Sequence, residues 1–153
     1  MQTLNVLVLQ EQPFQLMALH QMLNANGVFN VLTADTLASA MDVLTRCKQV
    51  DLLICDDAMS EQASEALLAY LLDHSGVRAL LVVGEVDPTS PNSLCARARA
   101  QGVWVLGGLP WPVTVPALDQ QLRRYREGYS CAGARPQSLM STQGVCAAAS
   151  AAR

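Results

Sequence analysis

Asp56 ends an apolar run, Asp51-Leu52-Leu53-Ile54-Cys55, and is followed by Asp57-Ala58-Met59-Ser60. A carboxylate at the carboxyl end of a buried strand sits where open α/β sheets place their chemistry. Such a group can accept a phosphoryl transfer or share a divalent cation. Either task needs neighbours: more oxygens for a metal, and cationic or hydroxyl donors for a phosphoryl group. The nearest candidates are Glu11, just after Leu4-Asn5-Val6-Leu7-Val8-Leu9, and the polar Gln10 beside it. Cations are scarce. The chain has one lysine, Lys48, and the sequence sets it far from that strand end. These facts suggest a phosphoryl-accepting site that has lost part of its machinery.

The elements that must position these groups alternate. Leu4–Leu9, Val28–Thr33, Asp51–Cys55, Ala79–Val83 and Val103–Leu106 read as strands. Between them, apolar faces recur at helical spacing. Pro13 suits a first helical turn, and Leu16, Leu19, Met22 and Leu23 form the first face up to Asn26-Gly27. Asp35 or Thr36 caps a second helix through Leu37, Met41 and Leu44. Ser60 caps a third through Leu67 and Leu71. A weak fourth helix spans about Ser93–Ala100. Thr114 caps a last one, with Val115, Leu118, Leu122 and Tyr125 on its buried face. Five βα repeats with short connections imply a doubly wound parallel sheet, expected order 2-1-3-4-5, covered by helices on both faces.

Composition bounds the function classes. The chain has 153 residues, 51% hydrophobic and 15% charged, with net charge −3. That is enough for one domain with a real core. No apolar stretch approaches the roughly 18 residues of a membrane helix, and no basic n-region precedes the first strand. Residues 1–127 carry all 13 acids and net −5, whereas 128–153 carry Arg135, Arg153 and no acid. The absence of a basic stripe argues against nucleic-acid binding. Five cysteines (47, 55, 95, 131, 146) without a CxxC pair fit a reducing cytoplasm rather than a disulfide framework or a zinc site. The domain is expected over residues 1–127. Residues 128–153, rich in Ala, Ser, Gly and Gln, read as a flexible tail or linker remnant.

With the three strand ends Gln10-Glu11-Gln12-Pro13, Asp56-Asp57-Ala58-Met59 and Gly107-Gly108-Leu109-Pro110-Trp111-Pro112 on one edge, the chain resembles the CheY-like receiver domains of bacterial two-component response regulators over about residues 3–127. Glu85-Val86-Asp87-Pro88 and Leu106-Gly107 look more specifically like receivers linked to cyclic-di-GMP phosphodiesterase outputs. The resemblance implies Asp56 as the phosphoacceptor. It implies Glu11, Asp56 and the Ala58 carbonyl as holders of Mg²⁺, weakly. Gln10 stands where the family has an acid, and Gly84 where it has Ser or Thr. Leu109 or Trp111, depending on register, replaces the family lysine. The aromatic switch position falls on Trp104 or Val105.

The resemblance also implies a protein partner (a histidine kinase, an output protein or a second copy) on the face of helix 4, strand 5 and helix 5. Arg97, Arg99, Trp104, Arg123 and Arg124 are the candidate anchors there. The leading reading is a divergent, cytoplasmic, non-enzymatic receiver under weak or no phosphorylation control. Its rivals are a conventional receiver phosphorylated on Asp56, a small-molecule sensor, and a small hydrolase with Asp56 as nucleophile. Each residue also has a plainer reading. A strand-terminal Asp is common in α/β proteins, and Glu11 alone is a solvated loop acid. Cys55 is core, while His20 and His74 are boundary residues on helices. Glu65-Ala66-Leu67 matches the phosphodiesterase signature by chance, because no room remains for that catalytic domain.

Overall fold

Apolar residues concentrate in five segments that pair side by side. A computed structural model describes residues 3–47, 49–73, 76–84 and 90–134. The strands are β1 (Asn5–Leu9), β2 (Asn30–Ala34), β3 (Val50–Asp56), β4 (Val77–Val83) and β5 (Val105–Leu109). The helices are α1 (Pro13–Ala25), α2 (Leu37–Arg46), α3 (Glu61–Asp73), α4 (Leu94–Ala100) and α5 (Val115–Ala134). All pairings are parallel and the order is β2-β1-β3-β4-β5, as expected from the βα repeats. Val6, Leu7 and Val8 of β1, Leu52, Leu53 and Ile54 of β3, and Leu80, Leu81 and Val82 of β4 are fully buried. Near-continuous burial, rather than alternation, is what a parallel sheet covered on both faces requires.

Local signals account for the helix starts. The Thr36 side chain accepts from Ser39 N at 3.1 Å, Ser60 from Ala63 N at 3.1 Å, and Thr114 from Ala117 N at 3.2 Å. Ser93 does the same for Ala96 N, at 3.1 Å. Each satisfies a donor that a helix start leaves open. In α1, Leu19 and Leu23 are buried as expected, while Phe14 and Met17 face solvent.

Several bounds differ from the sequence reading. β2 starts two residues late, because Val28 N donates to Leu23 O and closes the turn after α1, with Gly27 at φ +84°. β5 lies at Val105–Leu109 rather than Val103–Leu106. Its register against β4 shifts between Leu80 and Leu81, and the strand continues through Gly107 and Gly108, residues of low strand propensity. Val115, expected in the core, is exposed.

Residues through Asp119, which include the sheet and α1–α4, form one unit. Residues from Gln120 form another and are described by themselves. In this second unit α5 passes the expected boundary at Glu127 and reaches Ala134, and the Tyr125 and Tyr129 rings stack with centroids 5.9 Å apart. The rest of the expected tail, residues 135–153, lies outside the described residues, as do Lys48, His74 and the Glu85–Pro88 segment.

Candidate functional site

Parallel register sets the site. Leu9 of β1 pairs with Cys55 of β3, so Gln10 and Asp56 leave the sheet together at its carboxyl edge. β4 ends beside them, with Val83 opposite Asp56 and Gly84 next. β5 closes the row, with Leu109 opposite Val83.

Gln10 is the feature that the residue pattern did not reveal. Although polar, it is only 2% exposed. Its Nε2 donates to Asp56 Oδ2 at 2.6 Å, and its Oε1 accepts from Gln12 N at 3.0 Å. Those two bonds fix the amide orientation: a flip would set oxygen against carboxylate and NH₂ against N–H. The second carboxylate oxygen, Asp56 Oδ1, accepts from Ala58 N at 2.7 Å. The half-buried carboxylate is therefore held at both oxygens by neutral donors.

Gly84 completes the enclosure. Its φ is +116°, a conformation that side chains with a Cβ rarely adopt. A Cβ added there would lie 2.9 Å from Asp56 Oδ1 and 3.5 Å from Asp57 N. The Gly84 N–H donates to Leu109 O at 2.8 Å, tying the ends of β4 and β5. Leu109 is buried at the end of β5, and Trp111 follows, half-buried, with its indole N–H buried and without an acceptor.

The positions that the resemblance assigned to a metal are arranged differently. Glu11 is exposed at the start of the β1–α1 connection. The Ala58 N–H donates to Asp56 Oδ1. The oxygen of Asp56 nearest Gln10 meets an N–H donor. Mg²⁺ takes oxygen ligands in an octahedron, and Gln10 here turns an N–H toward Asp56, so its side chain adds no oxygen beside that carboxylate. Among the described residues, no group of three His, Cys, Asp or Glu side chains is placed to hold a metal.

Asp57 has its own task. Its backbone N–H donates to Val83 O at 2.8 Å, and its Oδ1 accepts from Leu94 N, the first residue of α4, at 3.3 Å. The candidate partner residues divide. Arg97 is half-buried, and its Nη2 donates to Ser64 Oγ of α3 at 2.6 Å. Arg99 is exposed on α4 and Trp104 is half-buried before β5. In the second unit Arg123 and Arg124 are exposed, and Arg124 Nη1 donates to Gln121 Oε1 at 3.4 Å. His20 is half-buried against Asn24, as a boundary residue should be.

Cys55 and Cys95 are buried free thiols. Burial, then the neighbouring Cys95 and the Asp56 and Asp57 carboxylates, push the Cys55 thiol far above its usual range. Burial also raises Cys95, partly offset by Arg99. Both belong to the core, not to thiol chemistry.

No protein-family model matches the sequence. In architecture the chain has the fold of CheY-like receiver domains. It is similar over 82% of its length to a Thermotoga maritima response regulator, 21% identical with TM-score 0.66, and spans 99% of that chain. It covers 99% of the Vibrio cholerae chemotaxis protein CheY4 over 81% of its own length, at 20% identity and TM-score 0.63. A curated relative narrows the likeness. The cyclic di-GMP phosphodiesterase RocR of Pseudomonas aeruginosa is 30% identical over 125 residues, which are 82% of this chain and 32% of that protein. The chain thus spans about a third of that relative's length.

Proposed function

We propose that this chain acts in signal transduction as a divergent, non-enzymatic receiver that contacts a protein partner without phosphorylation control. The carrying observation is the Gln10–Asp56 bond. An amide donor 2.6 Å from Oδ2 stands at the position where the resemblance would place an acid, and it hydrogen-bonds the carboxylate without adding a negative charge or an oxygen for a cation. Acyl-phosphate formation relies on positioning and charge neutralisation of the phosphoryl oxygens. Here the hydroxyl side chain is replaced by Gly84, and the strand-5 end supplies Leu109 rather than an ammonium. Gln10 serves as a neutral substitute for metal and acid together. It holds Asp56 in one rotamer and leaves Oδ1 bound to Ala58 N.

The same geometry favours this reading over a hydrolase: each Asp56 oxygen already accepts from a neutral donor, and the neighbouring acid, Asp57, accepts from α4 instead of standing as a general acid or base. RocR carries cyclic di-GMP phosphodiesterase activity by name. For this chain the similarity supports a role in signalling of that kind, exerted on another protein. No helix among the described residues is long and apolar enough to cross a membrane.

Sedimentation velocity with Mg²⁺ and beryllofluoride, a phosphoryl mimic, tests the reading. The sedimentation coefficient is expected to be the same with and without the mimic, in the native protein and in Asp56→Asn. A mimic-dependent shift present in the native protein and lost in Asp56→Asn would establish the conventional receiver instead.

A further inference from the structure

The helix after β4 is short, seven residues, and isolated helices of that length do not hold themselves together. Its position must therefore come from tertiary contacts. Two are polar and long-range. At its start, the Leu94 N–H, a donor that the helix leaves open, meets Asp57 Oδ1 across 37 residues of sequence. One turn on, Arg97 Nη2 reaches Ser64 Oγ across 33 residues, and that hydroxyl passes its own proton to Glu61 O at 3.0 Å. Ser64 is 2% exposed, and the Arg97 Nε is buried with no acceptor. A guanidinium accepted into such a place with one neutral partner is a costly arrangement. Among the described residues, Ser64 Oγ is the side-chain acceptor that the guanidinium reaches, which ties Arg97 to α3.

We propose that Asp57 and the Arg97–Ser64 pair clamp α4 to the β3–α3 side of the domain, fixing the surface that α4 presents to a protein partner without a phosphoryl group. This deepens, and rests on, the phosphate-independent reading given above. The clamp begins at the residue adjacent to Asp56 but does not pass through the Asp56 carboxylate, whose two oxygens are bound to Gln10 and Ala58. Asp57 is thus a positioning residue. Its negative charge at the amino end of α4 also matches the helix dipole. Leu94, Cys95 and Ala98 pack beneath as the apolar seat. The polar clamp sets orientation on that seat, where apolar contact alone is non-directional.

Residue-resolved amide exchange on the full chain tests the clamp. In Asp57→Ala, exchange at Leu94 and Ala96 is expected to rise about tenfold, the factor that loss of one charge-assisted hydrogen bond corresponds to. Asp57→Asn keeps an acceptor oxygen and should recover at least half of that protection on a logarithmic scale. Ser64→Ala should accelerate Arg97 through Gln101 by a similar factor. Leu53 and Ile54 in the sheet should stay within twofold in all three. Unchanged α4 exchange in Asp57→Ala, or a uniform rise that includes the sheet, would overturn the clamp. Asp56→Asn separates the two claims. It should leave α4 exchange unmoved, and an α4 response to Asp56→Asn with an intact response to Asp57→Ala would overturn the phosphate-independent reading while keeping the clamp.

Discussion

Substituting Gly84 by alanine probes how tightly Asp56 is held. Two costs can be worked from the geometry. The backbone at φ +116° is nearly reserved for glycine, and forcing another residue there costs on the order of 1–3 kcal/mol. The new Cβ would also lie 2.9 Å from Asp56 Oδ1. A free carboxylate would swing away at little cost. This one is pinned by Ala58 N on the same oxygen and by Gln10 on the other, so overpacking adds roughly 1–2 kcal/mol. The total is about 3 kcal/mol. For a chain of this size, about 3 °C per kcal/mol gives a fall in Tm of about 9 °C by circular dichroism. The Gln10→Ala background isolates the steric half. With Oδ2 released, the carboxylate can turn, and Gly84→Ala should then cost about half as many degrees. A fall of less than about 2 °C in the native background, or equal falls in both backgrounds, would refute the picture of a pinned carboxylate.

The remaining expectations are simpler. Gln10→Ala alone should destabilise by about 1–3 kcal/mol in urea unfolding, because it strips one oxygen of the half-buried Asp56 carboxylate of its donor; a neutral effect would mean that water replaces the amide at no cost. Cys55 binds its proton more tightly folded than unfolded, so its contribution to stability is complete below its ordinary value of 9.0 and is lost as pH rises above it. Stability should fall by up to about 1.4 kcal/mol per pH unit there from this thiol. Cys55→Val should show a shallower decline between pH 9 and 10.5, and identical slopes would contradict the burial argument. Leu53→Ala, at a site with no exposure, should cost about 2–5 kcal/mol. Glu11→Gln, at an exposed position, should change Tm by less than about 1 °C, and a larger change would show that Glu11 is engaged at the site.

The fold was legible because its determinants are local. Apolar runs such as Leu52–Cys55, Pro13 at a helix start, and caps such as Thr36 and Thr114 each specify an element from a few neighbouring residues. Parallel order followed from the alternation of strand and helix patterns. Bounds failed where tertiary pairing overrode propensity, as at Gly107 and Gly108, which join β5 because β4 lies beside them. The site was half legible. That Gln10, Asp56 and Gly84 share an edge follows from topology, but their hydrogen bonds do not. Nothing in the order Gln10-Glu11 says which side chain turns inward. The structure buries the amide and leaves the acid in solvent. The bond from Arg97 to Ser64 was not legible, because helical arginines carry no sign of a buried serine 33 residues away. The acceptor role of Asp57 toward Leu94 was not legible either, because it needs the packed α4 to exist.

The central claim is that Asp56 is closed to phosphoryl chemistry by Gln10. Intact mass spectrometry after incubation with acetyl phosphate and Mg²⁺ tests it most directly, with Asp56→Asn as the control. The expected result is no adduct above the control level in the native protein. Stoichiometric, Mg²⁺-dependent addition of one phosphoryl group to the native protein, absent from Asp56→Asn, would contradict it.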